Sequence, residues 1–156
     1  MGQKETEKDY QPLLGAGFHK MNIDMIHDLA VKPFPDSLRR KALHECLDIY
    51  LASLARTGLT FTVWVDGSFC TDKQNPKDID LLVLIDENQV NSLSEAEFNL
   101  LELMLDNGNC KARYNIDVYT EENTNIHRKA YWRGLFGFLR DETTPKGIII
   151  LDINND

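Results

Sequence analysis

VWVDGSFCTDKQNPKDIDLLVLID, residues 63–86, decides how the chain is read. One apolar run ends in a turn at Gly67, and a second opens on two aspartates, Asp78 and Asp80. The first run, LTFTVWV at 59–65, is dense in β-branched and aromatic residues; the second, IDLLVLI at 79–85, is apolar on both faces. Such runs predict two strands, central in a sheet. Side chains two apart on a strand leave the same face, so the carboxylates of Asp78 and Asp80 converge. Burying one ionised carboxylate without a partner costs several kcal/mol, and a like charge beside it adds to the cost. Something positive belongs between them.

A divalent cation meets that need, because magnesium takes one or two protein carboxylates and leaves its other positions to water and phosphate oxygens. RYNIDVYT, 113–120, alternates like a strand and carries Asp117 between Ile116 and Val118. A neighbouring strand would bring this third acid to the same cluster. Three carboxylates at strand ends are the cradle that two-metal phosphoryl or nucleotidyl transfer uses. Gly67 permits a tight turn with outward N–H groups and close approach by a phosphate, and Ser68 offers its hydroxyl.

The 156 residues are one domain's worth, enough to bury a core without disulfides or a structural metal. With 42% hydrophobic and 27% charged residues, the bulk is globular rather than disordered or fibrous. A net charge of -8 opposes nonspecific adherence to nucleic acid or an anionic membrane, so a phosphate-bearing partner must be met by local positive charge. The polar start MGQKETEKDYQP has no signal-peptide pattern and no apolar run is long enough for a bilayer; the expected compartment is the cytoplasm, with no membrane partner. Cys46, Cys70 and Cys110 lack paired metal spacing and read as reduced thiols, and Cys70 has no base near it in sequence to make it a nucleophile. His19, His27, His44 and His127 show no metal-site spacing either.

Residues 1–12 read as a flexible lead-in and 13–156 as a single domain. A helix is expected from Asp36 or Ser37 to Gly58, and a second over 92–105, opened by the capping box Ser94–Glu97 and stopped by Asn107 and Gly108. A third helix is expected over 124–140 and a closing strand over 146–153. The sum is an α/β or α+β domain with a mixed sheet of about four strands and three main helices.

Gly67-Ser68, nine residues (69–77), Asp78-Ile79-Asp80 in an apolar strand and Asp117 in a further strand together resemble the signature of the polymerase-beta superfamily of nucleotidyltransferases, nearest its small stand-alone members, the minimal nucleotidyltransferases. The likeness runs from about residue 36 to 120. The whole chain, from GAGFHKM to LFGFLRDETTPKGIIILDI, is also similar to uncharacterised small bacterial and phage proteins assigned to that superfamily. The resemblance implies a polymerase-beta-like nucleotidyltransferase fold, with Gly67 and Ser68 at the triphosphate and Asp78, Asp80 and Asp117 as catalytic ligands of two Mg2+ ions, Mn2+ being the alternative. It further implies transfer of a nucleoside monophosphate from an NTP, ATP first, to a hydroxyl on a protein, a tRNA end or a small molecule, in settings such as toxin–antitoxin pairs and phage defence.

Two departures stand out. Asp66 precedes the glycine where an apolar residue is common, and Lys73 is the earliest cation after the turn, so Lys73 or Lys77 could supply positive charge to the triphosphate or could each be a solvated loop lysine. No second helical domain follows to grip the base, which leaves a loose base or a partner subunit, such as a homodimer mate. Residues 124–140 carry Arg128, Lys129, Arg133 and Arg140 and no acid. That face could draw in phosphate, with Arg128 first, or could merely be the solvated side of a helix that packs Trp132, Phe136 and Leu139. The rival from another class is an antitoxin-like or inactive nucleotidyltransferase-fold module that acts by contact with a partner protein.

Overall fold

The structure, a computed structural model, describes residues 10–155. Its elements are β1 (Phe18–Lys20), α1 (Ile23–Ala30), α2 (Leu38–Ala55), β2 (Phe61–Asp66), β3 (Ile79–Ile85), α3 (Glu87–Asn91), α4 (Glu95–Leu105), α5 (Asn107–Tyr114), β4 (Ile116–Glu122), α6 (Ile126–Phe136) and β5 (Ile148–Ile153). They form a mixed α/β architecture, a five-stranded mixed sheet in the order β1-β5-β2-β3-β4 flanked by helices. β2 is antiparallel to both β3 and β5, whereas β3 and β4 run parallel, as do β1 and β5. Among the described residues no helix is long and apolar enough to cross a membrane.

The unbroken apolar run of β3 has a direct cause, because the strand is covered on both faces. One face carries Val63, Leu81, Val83 and Val118 into a core closed by Leu43, Leu47 and Leu54 of α2. The other carries Trp64, Leu82 and Leu84 against Trp132 and Phe136 of α6. α2 begins where Ser37 accepts a hydrogen bond from the Arg40 N–H, so Ser37 rather than Asp36 is its cap. The Ser94–Glu97 capping box opens α4.

Several elements depart from the sequence reading. The expected four strands and three main helices become five strands and six α-helices among the described residues, because β1, α1, α3 and α5 are too short for their periodicity to register. Asn107 and Gly108 do not stop the chain in a loop. The Asp106 carboxylate accepts from the Gly108 N–H and starts α5 at once, which moves the start of β4 from 113 to Ile116, after the left-handed Asn115. The helix expected over 124–140 ends at Phe136, and Phe138 then bridges Pro145 across a turn held by Asp141. Of the expected lead-in, residues 1–9 lie outside the described residues, while the Gln11 N–H donates to the Asp72 carboxylate, the Gln11 carbonyl accepts from the Asp72 N–H, and Pro12 bridges Thr71.

Candidate active site

Sheet register builds the site. Asp66 on β2 stands opposite Asp80 on β3, and Asp80 stands opposite Asp117 on β4, so three aspartates form a row across adjacent strands. Asp78 lies just before β3. One carboxylate oxygen from each of Asp78, Asp80 and Asp117 falls within 4.8 Å of the others, and all three residues are half-buried. This is the cluster expected from the sequence. Acidic oxygens at such spacing, reachable from solvent, fit a hard divalent cation such as Mg2+ or Mn2+.

Gly67 closes the turn beside them with φ 90° and ψ -170°. A Cβ there would lie 2.8 Å from Asp80 Oδ2, so the missing side chain is what lets the Asp80 carboxylate sit against the turn. The turn is not the open nest of donors expected for phosphate. The Gly67 N–H donates to Asp66 Oδ1 at 2.8 Å, and the N–H groups of Cys70 and Thr71 close a 3-10 turn over Ser68–Cys70 by donating to the Gly67 and Ser68 carbonyls. Ser68 itself is half-buried beside the row.

The loop after the turn is clamped from below. Arg40 is fully buried, and its guanidinium donates to the carbonyls of Ala30, Phe69, Thr71 and Lys73 while stacking over the Phe34 ring. Burial lowers its pKa to about 10, which leaves it charged at neutrality. Lys73, a candidate nucleotide contact, lends its carbonyl to this clamp, and its ammonium lies 5.5 Å from the centre of the Tyr10 ring. Burial pushes the Cys70 thiol up, and it points at the Val65 carbonyl, the reverse of a nucleophile's surroundings.

A positive charge is present in the chain itself, set between Asp78 and Asp117 rather than between Asp78 and Asp80. Lys111, on α5, places Nζ 2.6 Å from Asp78 Oδ2 and 3.0 Å from Asp117 Oδ2. Burial works against its charge, but hydrogen bonds to the two carboxylates outweigh that and hold the ammonium above its ordinary pKa. Lys111 carries no signal in the sequence, because the stop at Asn107 and Gly108 leaves it outside every expected element. The capping signal Asp106 followed by Gly108 could have revealed α5, though not where the lysine points.

A second pair lies under the row. Lys146, 3% exposed, sets Nζ 2.8 Å from Oδ1 of Asp66, which is 1% exposed, and Asp66 Oδ2 has no hydrogen-bond partner. Burial and the ammonium pull in opposite directions, and burial prevails, with the Asp66 carboxyl pushed up to about 7.

Arg128, the other candidate nucleotide contact, is not brought to the aspartates. Its Nε donates to Glu121 at 2.7 Å, as does the Trp132 indole N–H at 3.0 Å. Glu121 is four residues along β4 from Asp117, roughly 13 Å at the strand's rise. α6 instead buries Trp132 and Phe136 and leaves its basic residues outward. Between α6, the turn after it and the sheet end opens a cleft of about 740 Å3 whose lining includes Asp66, Gly67, Asp80, Tyr119, Tyr131 and Arg140.

A family model described as "Family of unknown function (DUF6932)" matches residues 6–152. The chain belongs to the DUF6932 family. No curated protein and no solved structure matches it. What this member of DUF6932 does therefore has to be argued from its own groups: an acidic row, a glycine turn, two inserted ammoniums and an aromatic-lined cleft.

Proposed function

We propose that the chain is a metal-dependent nucleotidyltransferase with a polymerase-beta-type fold, moving the nucleoside monophosphate of an NTP, ATP first, to an acceptor hydroxyl. One observation carries the reading: the Asp78, Asp80 and Asp117 oxygens gather within 4.8 Å beside a turn that favours glycine, and Asp80 among them opens on a cleft of nucleotide-holding size. Mg2+ or Mn2+ bound by these carboxylates would make the acceptor hydroxyl a better nucleophile and neutralise charge on the leaving pyrophosphate. Asp117 would take the hydroxyl proton as the acceptor oxygen bonds to the α-phosphorus; the bond from that phosphorus to the bridging oxygen breaks, and pyrophosphate leaves with the electron pair. Tyr119 and Tyr131, exposed at the cleft, offer faces on which a base can stack. Arg140, exposed and lining the same cleft, would be the cation to meet the phosphates in place of Lys73 and Arg128. The acceptor class, whether a protein, a tRNA end or a small molecule, and any partner subunit stay open to the same test.

Incubation with α-labelled ATP, GTP, CTP and UTP, total tRNA and cell lysate would name donor and acceptor together. Label transferred by the wild type and lost in Asp78→Ala with Asp80→Ala supports the reading, and no transfer from any of the four counts against it. The rival module that acts by contact alone gains from one feature, the Lys111 ammonium already neutralising part of the acidic cluster. Calorimetry with Mg-ATP separates them, since a contact module would take up no nucleotide.

A further inference from the structure

We propose that Lys111 is a built-in cation that takes one of the two cation positions of the Asp78–Asp80–Asp117 cluster, so that this chain binds one divalent ion where such a cluster would otherwise hold two. The inference rests on the metal-dependent reading above and refines it. Its basis is geometric: the ammonium bridges the carboxylate just ahead of β3, Asp78, and that of Asp117 on β4, at 2.6 and 3.0 Å, and so occupies the space a bridging ion would need.

The placement is built into the fold. Asp106 starts α5, the left-handed Asn115 ends it, and the Asn107 side chain accepts from the Val118 N–H, which pins the helix against the edge of β4. Lys111 therefore has its position set by the same strand that carries Asp117. Its side chain is 45% exposed, so the core does not require it there, and the two oxygens are what hold it.

Charge points the same way. Three carboxylates carry -3, and one ammonium brings the cluster to -2, which a single divalent ion neutralises. Two such ions would leave the site at +2 with the lysine still in place, an arrangement that like-charge repulsion at these distances opposes. The lysine supplies fixed charge beside Asp117, on the side where the acceptor hydroxyl is activated, and leaves Asp80, which opens on the cleft, for the ion that meets the phosphates.

The test is a Mn2+ titration of the full chain, stripped of metal, with free ion read by electron paramagnetic resonance. Wild type, Lys111→Met and Lys111→Arg are compared, with thermal midpoints as the check on folding. The wild type should take up one ion, Lys111→Met should gain a second ion or bind the first about tenfold tighter, and Lys111→Arg, which keeps the charge, should stay at one. Two ions in the wild type, or a Lys111→Met titration that overlays it, overturns the proposal while the metal-dependent reading stands. Uptake by Lys111→Met alone overturns the one-ion proposal, since the lysine would then exclude every ion from the wild type, and removes metal dependence from it. No uptake by any variant overturns both.

Discussion

Replacing Gly67 by alanine tests the physical heart of the site. At φ 90° and ψ -170° the residue sits where non-glycine residues carry strain of about 1–3 kcal/mol. The new methyl would also lie 2.8 Å from Asp80 Oδ2 and 3.3 Å from the Asp80 backbone nitrogen, so it cannot be relieved by swinging a flexible side chain alone. Overpacking of this kind costs about another 1–3 kcal/mol, for a total of about 2–6 kcal/mol out of a typical domain stability of about 5–15. Gly134 is the internal control, since it lies within α6 with nothing within 4 Å of a Cβ. Gly134→Ala should gain about 0.5–1 kcal/mol by removing backbone freedom from the unfolded chain. Urea unfolding at constant m-value measures both, and a Mn2+ titration of Gly67→Ala should show weakened uptake because Asp80 has been displaced. A Gly67→Ala chain within about 0.5 kcal/mol of wild type, with ion affinity intact, would refute the claim that the bare turn is what admits Asp80.

Three further outcomes follow from the same geometry. Lys146→Met leaves the buried Asp66 without its ammonium and should cost about 3–5 kcal/mol, most of it recovered by adding Asp66→Asn. Burial lifts Asp66 from 3.8 to about 7, so the folded chain holds a proton that the unfolded chain releases; the stability lead of wild type over that double variant should shrink as pH rises from 4 to 7, and a lead that grows would mean an ion pair that burial fails to neutralise. Arg40→Met strands four buried carbonyls and should lose at least about 3 kcal/mol in urea unfolding, with a loss under about 1 kcal/mol arguing that the 68–73 loop holds itself. Tyr131→Ala, at a residue 52% exposed, should weaken nucleotide binding about tenfold with stability unchanged, and equal affinity in calorimetry would remove the stacking wall from the cleft.

Some of the site was legible before any coordinates. Asp78 and Asp80 announce themselves because polar residues at the mouth of a doubly apolar strand are costly, and Asp117 does so by the same rule. Arg128 misled for a reason of the same kind: a cluster of cations without acids nearby in sequence looks unpaired, yet Glu121 and the helix lie side by side only after β4 and α6 have packed. Asp66 stands out in the sequence as a departure, but the ammonium beside it comes from the loop two residues before β5.

The sequence alone therefore determined the local facts: the central strands β2 and β3, a helix start at Asp36 or Ser37 and another at Ser94, a glycine turn after β2, and two aspartates set to converge. These rest on period, capping and sterics, which act within a few residues. Tertiary structure decided the rest: the row Asp66–Asp80–Asp117, Lys111 set 33 residues from the Asp78 it bridges, Arg40 beneath the turn, and the cleft walled by α6. Register and the landing point of one lysine among many depend on how whole elements pack, and no short stretch of sequence contains that information.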